Sequence, residues 1–333
     1  MSIDTTIVID KYIEKDQIID VIISLGFEKT EHENTYYWFD NNFRSTRGCY
    51  FDFNYDEKIL VDGKEVEYKT VCCAYTKSGR SYNDFKKQLD TIKVIENKFG
   101  GIVYSDGELG YFENDLPQLS RTEIACGFSY STFEMNLAMV GNLIEDVNME
   151  EVQGLMNLGI PPLNQKSLLR NNVLLPFFVS IMEDFLRTFL YRYIETREDV
   201  QNKIYKKKAD LPYNVVKEII DGEKNIIDIE IAKYSFQNFK SANQAYKEYL
   251  GLDLFKEVLS VEISRNDENK TLVSILQEMI ENRHKIIHEA SLNYDLDRRK
   301  MKLYYEGLKL LGNTFVEVFK TKRKMRIDLE QVL

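Results

Sequence analysis

The spacing of hydrophobic positions changes partway along the chain. Up to about residue 115, apolar residues come in short runs rich in β-branched and aromatic side chains: TTIVI, TYYWF, CYFDFNY, KTVCCAY and GIVYS. Such runs predict strands. Asp62-Gly63 and Asp106-Gly107 lie between strand-like flanks and predict hairpin turns. Two stretches with helical spacing fall among the strands: KDQIIDVIISLGF, closed by Gly26, and 82–99, closed by Gly100-Gly101. The expectation is an α+β domain over 1–115, a small antiparallel sheet with two helices packed on one face.

Beyond that point the period becomes helical. ENDLPQLSRTE, with Pro117, is a polar connector, and 116–128 is expected as the linker. An all-α helical bundle is expected over 129–325, with its main helices near 130–147, 165–197, 212–221, 240–250, 270–289 and 294–320. Lys206, Lys207 and Lys208 fall in a polar connection between helices.

Composition narrows the class. Apolar residues make up 44% of the 333 and aromatics 12%, enough for real cores in two domains. The opening MSIDTTIVIDKYIEKD lacks a basic segment followed by an apolar run, so no signal peptide is expected. The most apolar stretch, NNVLLPFFVSIMEDFLRTFLYRYI, is broken by Glu183, Asp184 and Arg187, which predicts a buried helix and no membrane partner. Cys49, Cys72, Cys73 and Cys126 show no metal-ligand spacing; free thiols in a cytoplasmic protein are expected.

The net charge of −10 is unevenly spread. Residues 1–125 hold 15 Lys/Arg against 23 Asp/Glu, and the remainder 29 against 31. Residues 298–326 hold ten basic and two acidic residues. A nucleic-acid ligand would need that local basic surface, because the global field repels it. On charge alone the segment is equally a solvated helix face.

Three histidines are present, at 32, 284 and 288. The last two lie four apart in Glu281-Asn282-Arg283-His284-Lys285-Ile286-Ile287-His288, which sets both rings on one helix face. At about 100° per residue, Leu272, Leu276, Met279, Ile280, Ile286 and Ile287 fall within roughly 60° of Arg283. Arg283 therefore occupies the apolar stripe, with the histidines on its wet flank. A guanidinium there calls for a paired anion. Glu183, bordered on its own helix by Val179, Leu186 and Leu190, is the expected partner, and the pair would aim the guanidinium. Three plainer arrangements stay open at this point: a histidine pair without a role, half of a zinc site, and a purely structural arginine. Zinc is disfavoured by the lack of HExxH or of a further Cys or His nearby, and neither metal nor cofactor is expected.

The run Arg-His-Lys-Ile-Ile-His resembles the R-x4-6-H motif of the HEPN superfamily, in which a polar residue follows the arginine as His284 does here. HEASLNYD resembles the polar turn before the last HEPN helix, and IMEDFLRTFL the family helix whose glutamate faces the motif arginine. The resemblance covers about 165–320 and departs from the family in its long connection, about 196–268. It implies metal-independent cleavage of RNA by a homodimer joined through the α domain, in which two motifs build one site. His288 is implied as general acid or base, Arg283 as the stabiliser of phosphate charge and His284 as an assisting group. Asn282 is a supporting residue that orients the strand, and Arg298, Arg299, Lys300 and Lys302 are expected to bind RNA. The family further implies a toxin or anti-phage abortive-infection effector, with an inhibitor or activating trigger as a further partner and the α+β domain as sensor or regulator. The alternative is a catalytically silent HEPN module that binds a nucleotide or a partner protein.

Overall fold

Runs of alternating pattern form strands because one face of each can be buried while the other stays free. In the computed structural model, which describes residues 2–327 and 329 apart from 62, 63, 163, 209, 266 and 267, the first part of the chain is β1 (Ile3–Ile9), α1 (Lys15–Ser24), β2 (Glu28–Lys29), β3 (Thr35–Trp38), β4 (Cys49–Val61), β5 (Lys64–Thr76), α2 (Tyr82–Phe99), β6 (Ile102–Ser105) and β7 (Glu108–Leu109). The seven strands make one antiparallel sheet in the order β2-β3-β4-β5-β1-β6-β7. One face buries Ile7, Phe51, Phe53, Cys72 and Val103 against Ile18 and Ile22 of α1 and Ile92 and Ile95 of α2. Both helices thus cover the same face. The opposite face carries a row of directly paired tyrosines, Tyr37, Tyr50 and Tyr75, whose successive ring centroids are 4.7 and 5.2 Å apart.

Local chemistry sets the turns. Asp106 and Gly107 have φ of 50° and 85°, the two positive values a two-residue hairpin requires. Asp62 and Gly63 lie outside the described residues; the strands beside them pair Val61 with Lys64. Ser81 and Asp84 cap α2 reciprocally. At its other end Gly101 has φ of 130°, and a Cβ there would stand 2.7 Å from the Val8 carbonyl oxygen.

The rest of the described chain is α3 (Arg121–Gly141), α4 (Met149–Asn157), α5 (Lys166–Glu195), α6 (Glu198–Tyr205), α7 (Tyr213–Ile220), α8 (Ile226–Ile231), α9 (Phe239–Leu250), α10 (Leu254–Glu257), β8 (Glu262–Arg265), β9 (Glu268–Thr271), α11 (Leu272–His288) and α12 (Arg298–Arg323). The chain divides into two compact units between Ile124 and Ala125. That point lies inside α3, so the expected linker 116–128 is partly helix. The reason is local: the Ser120 backbone N–H donates to the Glu123 carboxylate at 2.7 Å, and the Glu123 N–H to the Ser120 hydroxyl at 3.3 Å. Ser120-Arg121-Thr122-Glu123 is a capping box that starts the helix early. The second correction is that the C-terminal unit is not purely helical, since β8 and β9 form a small hairpin leading into α11. Asp297 caps the backbone of Lys300 at 2.7 Å and starts α12 at Arg298, four residues later than its expected start.

α5 is the central helix of this unit. Its Phe185 and Phe189 meet Phe315 and Phe319 of α12 edge-to-face, with Tyr246 of α9 against Phe315. A Cβ at Gly312 would stand 2.5 Å from the Phe133 ring, so glycine is what lets α12 approach α3. No helix among the described residues is long and apolar enough to cross a membrane.

Candidate active site on the last turns of α11

Thr271 caps the start of α11, and the apolar stripe then carries the helix into the core. Leu272, Ile275, Leu276 and Met279 are buried. One turn on, Ile280, Arg283 and Ile286 are only half-buried, and Ile287 is 50% exposed. The stripe predicted from the sequence therefore leaves the core before it ends, and Arg283 lies at the point of emergence.

Burial at that point is uneven along the arginine. Its Nε is shut away from solvent and has no hydrogen-bond partner among the described residues. His284 and His288 are exposed, with ring centroids 4.7 Å apart and planes tilted by 42°. The structure thus brings together three of the expected site residues, Arg283, His284 and His288. Lys285 and His288 occupy the last helical turn.

Glu183 is placed differently from its expected role. Its half-buried carboxylate accepts from the Arg187 guanidinium at 2.6 Å and from the Gln237 side-chain amide, and no ion pair joins it to Arg283 among the described residues. Arg187 lies four residues along the same helix and reaches Glu183 without any demand on helix–helix register.

Asn282 has a structural task. Its amide donates to the Tyr304 hydroxyl at 2.8 Å, and its oxygen accepts from the Asn293 side chain at 2.9 Å. The Asn293 backbone in turn exchanges hydrogen bonds with the buried side chain of Asn172 on α5, at 2.8 and 3.0 Å. The network ties α5, α11, the following loop and α12 into one frame. Asn282 therefore positions the helix and is not aimed at a ligand. Asn172 and Asn293 were missed from sequence; the one signal is Asn172, an asparagine beside the apolar run of α5, where a buried amide needs partners.

The four basic candidates on α12 divide evenly. Arg298 pairs with Asp146, and Lys300 pairs with Glu278 while also lying 5.7 Å over the Tyr304 ring. Arg299 and Lys302 are exposed, with no ion pair among the described residues. His32 belongs to the N-terminal unit and is exposed. Cys49, Cys72 and Cys126 are buried, and burial raises their thiols well above the ordinary range. Among the described residues no cluster of His, Cys, Asp and Glu could hold a metal ion.

Comparison with protein-family models, with curated proteins and with solved structures returns no match for this chain.

Proposed function

We propose that this protein is a metal-independent endoribonuclease whose helical unit works as a HEPN-type nuclease. The observation that carries the reading is the grouping on the end of α11: two exposed histidine rings 4.7 Å apart beside an arginine whose buried Nε lacks a partner. That buried N–H is a cost to the fold, and the rest of the half-buried guanidinium, which has no ion pair among the described residues, is what an arriving phosphate would meet.

The chemistry follows from those groups. His288 takes the proton of the RNA 2′-hydroxyl, whose oxygen attacks the adjacent phosphorus. The bond to the 5′-oxygen breaks, and that oxygen takes a proton from a second imidazole, either His284 or a histidine of the second copy. Arg283 holds the charge gathering on the non-bridging oxygens. Arg299 and Lys302 hold flanking phosphates. Half-exposed Ile287, beside the motif, offers apolar surface to a second copy, in line with a homodimer joined through the helical unit. In this reading the protein is a cytoplasmic toxin or anti-phage effector, and its α+β unit answers a trigger or inhibitor.

One observation favours the alternative, a catalytically silent module that binds a nucleotide or partner protein. Glu183 is occupied by Arg187 and Gln237, so that carboxylate does not aim Arg283. Incubation of the purified protein with total RNA in EDTA separates the two. Fragments ending in 2′,3′-cyclic phosphate and 5′-hydroxyl groups support the nuclease. Intact RNA at every protein concentration leaves the silent module.

A further inference from the structure

A groove of about 520 Å³ opens beside α11, within the same helical unit. From α11 it is lined by Val273, Gln277 and Ile280. At about 100° per residue these three project within roughly 60° of one another, and His284 and His288 project onto the same flank. At 1.5 Å per residue, Ile280 lies about 6 Å along the axis from His284 and Gln277 about 11 Å from it. The groove and the histidines therefore share one flank of α11, at a separation that a few nucleotides of strand would span.

The lining has two kinds of chemistry. Phe239, Phe255, Val273 and Ile280 make an apolar floor. Gln237, Asn238 and Gln277 set amides around it, with the exposed Lys240 ammonium beside them. The hydrogen bonds of these amides leave particular atoms over. Gln237 donates through Nε2 to Glu183, Asn238 accepts through Oδ1 from the backbone of Lys240 and Ser241, and Gln277 donates through Nε2 to Glu281. That leaves the oxygens of Gln237 and Gln277 as acceptors and the Asn238 amide nitrogen as a donor. An apolar slot edged by both donors and acceptors suits a flat heteroaromatic ring, and its volume is within the range of about 300–1,000 Å³ typical of small-molecule sites. Sequence-selective proteins take unstacked RNA bases in this way, against apolar or aromatic side chains and by their polar edges.

We propose that this groove seats one base of a single-stranded RNA, a few nucleotides from the phosphate held at Arg283 and His288, and so sets where the strand is cut. The proposal rests on the nuclease reading for its substrate, and its test is read on binding as well as on cleavage. Anisotropy of a fluorescein-labelled single-stranded RNA oligonucleotide is measured on the full-length His288→Ala chain. Gln277→Trp, which fills the groove from an exposed position, weakens that binding about tenfold, the loss expected for one base contact. In the chain with His288 intact, Gln277→Trp also erases a base preference at a fixed distance from the mapped cleavage sites. If the tryptophan variant melts early, Gln277→Ala, which trims only an exposed side chain, carries the test with a loss of about threefold. Unchanged affinity in the folded variants overturns the groove whatever the catalytic result, as it would if the groove were filled by a partner peptide. Weakened binding in a protein that never cuts RNA keeps the groove and removes the nuclease.

Discussion

Replacing Arg283 with methionine separates a structural arginine from one kept for chemistry. The Nε of Arg283 is buried without a partner, and no ion pair holds its guanidinium among the described residues. A buried unsatisfied donor costs roughly 1–3 kcal/mol. Methionine keeps an unbranched stem of similar length in the same half-buried slot and removes the donor. Because the residue is only half-buried, the lower end applies, and Arg283→Met should stabilise the fold by about 1 kcal/mol. For a helical unit of this size that raises Tm by about 2–4 °C. RNA cleavage should meanwhile fall by about 10²–10³-fold, the loss seen when a donor to developing oxyanion charge is removed. Arg283→Lys keeps the charge but not the planar fork and should recover little activity. Calorimetry or circular-dichroism melting reads the first effect, and initial rates on a defined RNA read the second. A Tm lower by several degrees in the methionine variant would refute the reasoning, because it would make Arg283 part of the scaffold.

Cleavage should survive EDTA, fall about 10²-fold or more in His288→Ala, fall less in His284→Ala and stay unchanged in His32→Ala, with a 2′-deoxy substrate inert; rates on matched oligonucleotides check all five. Glu183→Ala should cost less than about 1 kcal/mol in urea unfolding, since its ion-pair partner is a half-exposed arginine on the same helix and not Arg283. A loss of about 3 kcal/mol would show a buried pair instead. Glu230 should dominate acid stability. Burial raises its carboxyl, but hydrogen bonds from Lys207, Lys233 and Tyr249 outweigh that and hold it at about 2 against an ordinary 4.5. At about 1.36 kcal/mol per pH unit the difference is worth about 3 kcal/mol, present in full above the ordinary value and lost as pH falls toward 2. Glu230→Gln should therefore be less stable by about that amount at pH 6, and the gap should close between pH 4.5 and 2; an equal gap at both ends would contradict the linkage.

Features that rest on neighbours in sequence were legible. The strands were, because alternation such as that of CYFDFNY suits burial on one side only. The Asp106-Gly107 turn was, because few other residues accept two successive positive φ values. The spacing of Arg283, His284 and His288 was, because helix geometry alone sets three residues on adjoining flanks. Even the early start of α3 was written in Ser120-Arg121-Thr122-Glu123, although the same four residues look like a polar connector when Pro117 sets the expectation.

Features that depend on which distant segments meet were not. An acidic residue beside an apolar arc can be recognised from sequence, but its partner is the nearest cation in space, and for Glu183 that was Arg187 on its own helix. Asn282 could not be assigned until Tyr304 and Asn293 were seen to meet it from two other segments, with Asn172 holding the Asn293 backbone in place. The balance of the basic stretch on α12 depended on Asp146 and Glu278, which withdraw Arg298 and Lys300 and leave Arg299 and Lys302. The groove beside α11 joins residues near 237, 255 and 277, and none of those stretches forms a cavity alone. The sequence by itself determined most of the strands and helices and the placing of Arg283, His284 and His288 on one helix, because backbone sterics and periodic burial act over a few residues. Tertiary structure alone decided where the apolar stripe of α11 leaves the core, and so which end of Arg283 is buried and which groups stand free to meet a ligand, because burial and pairing belong to positions in space.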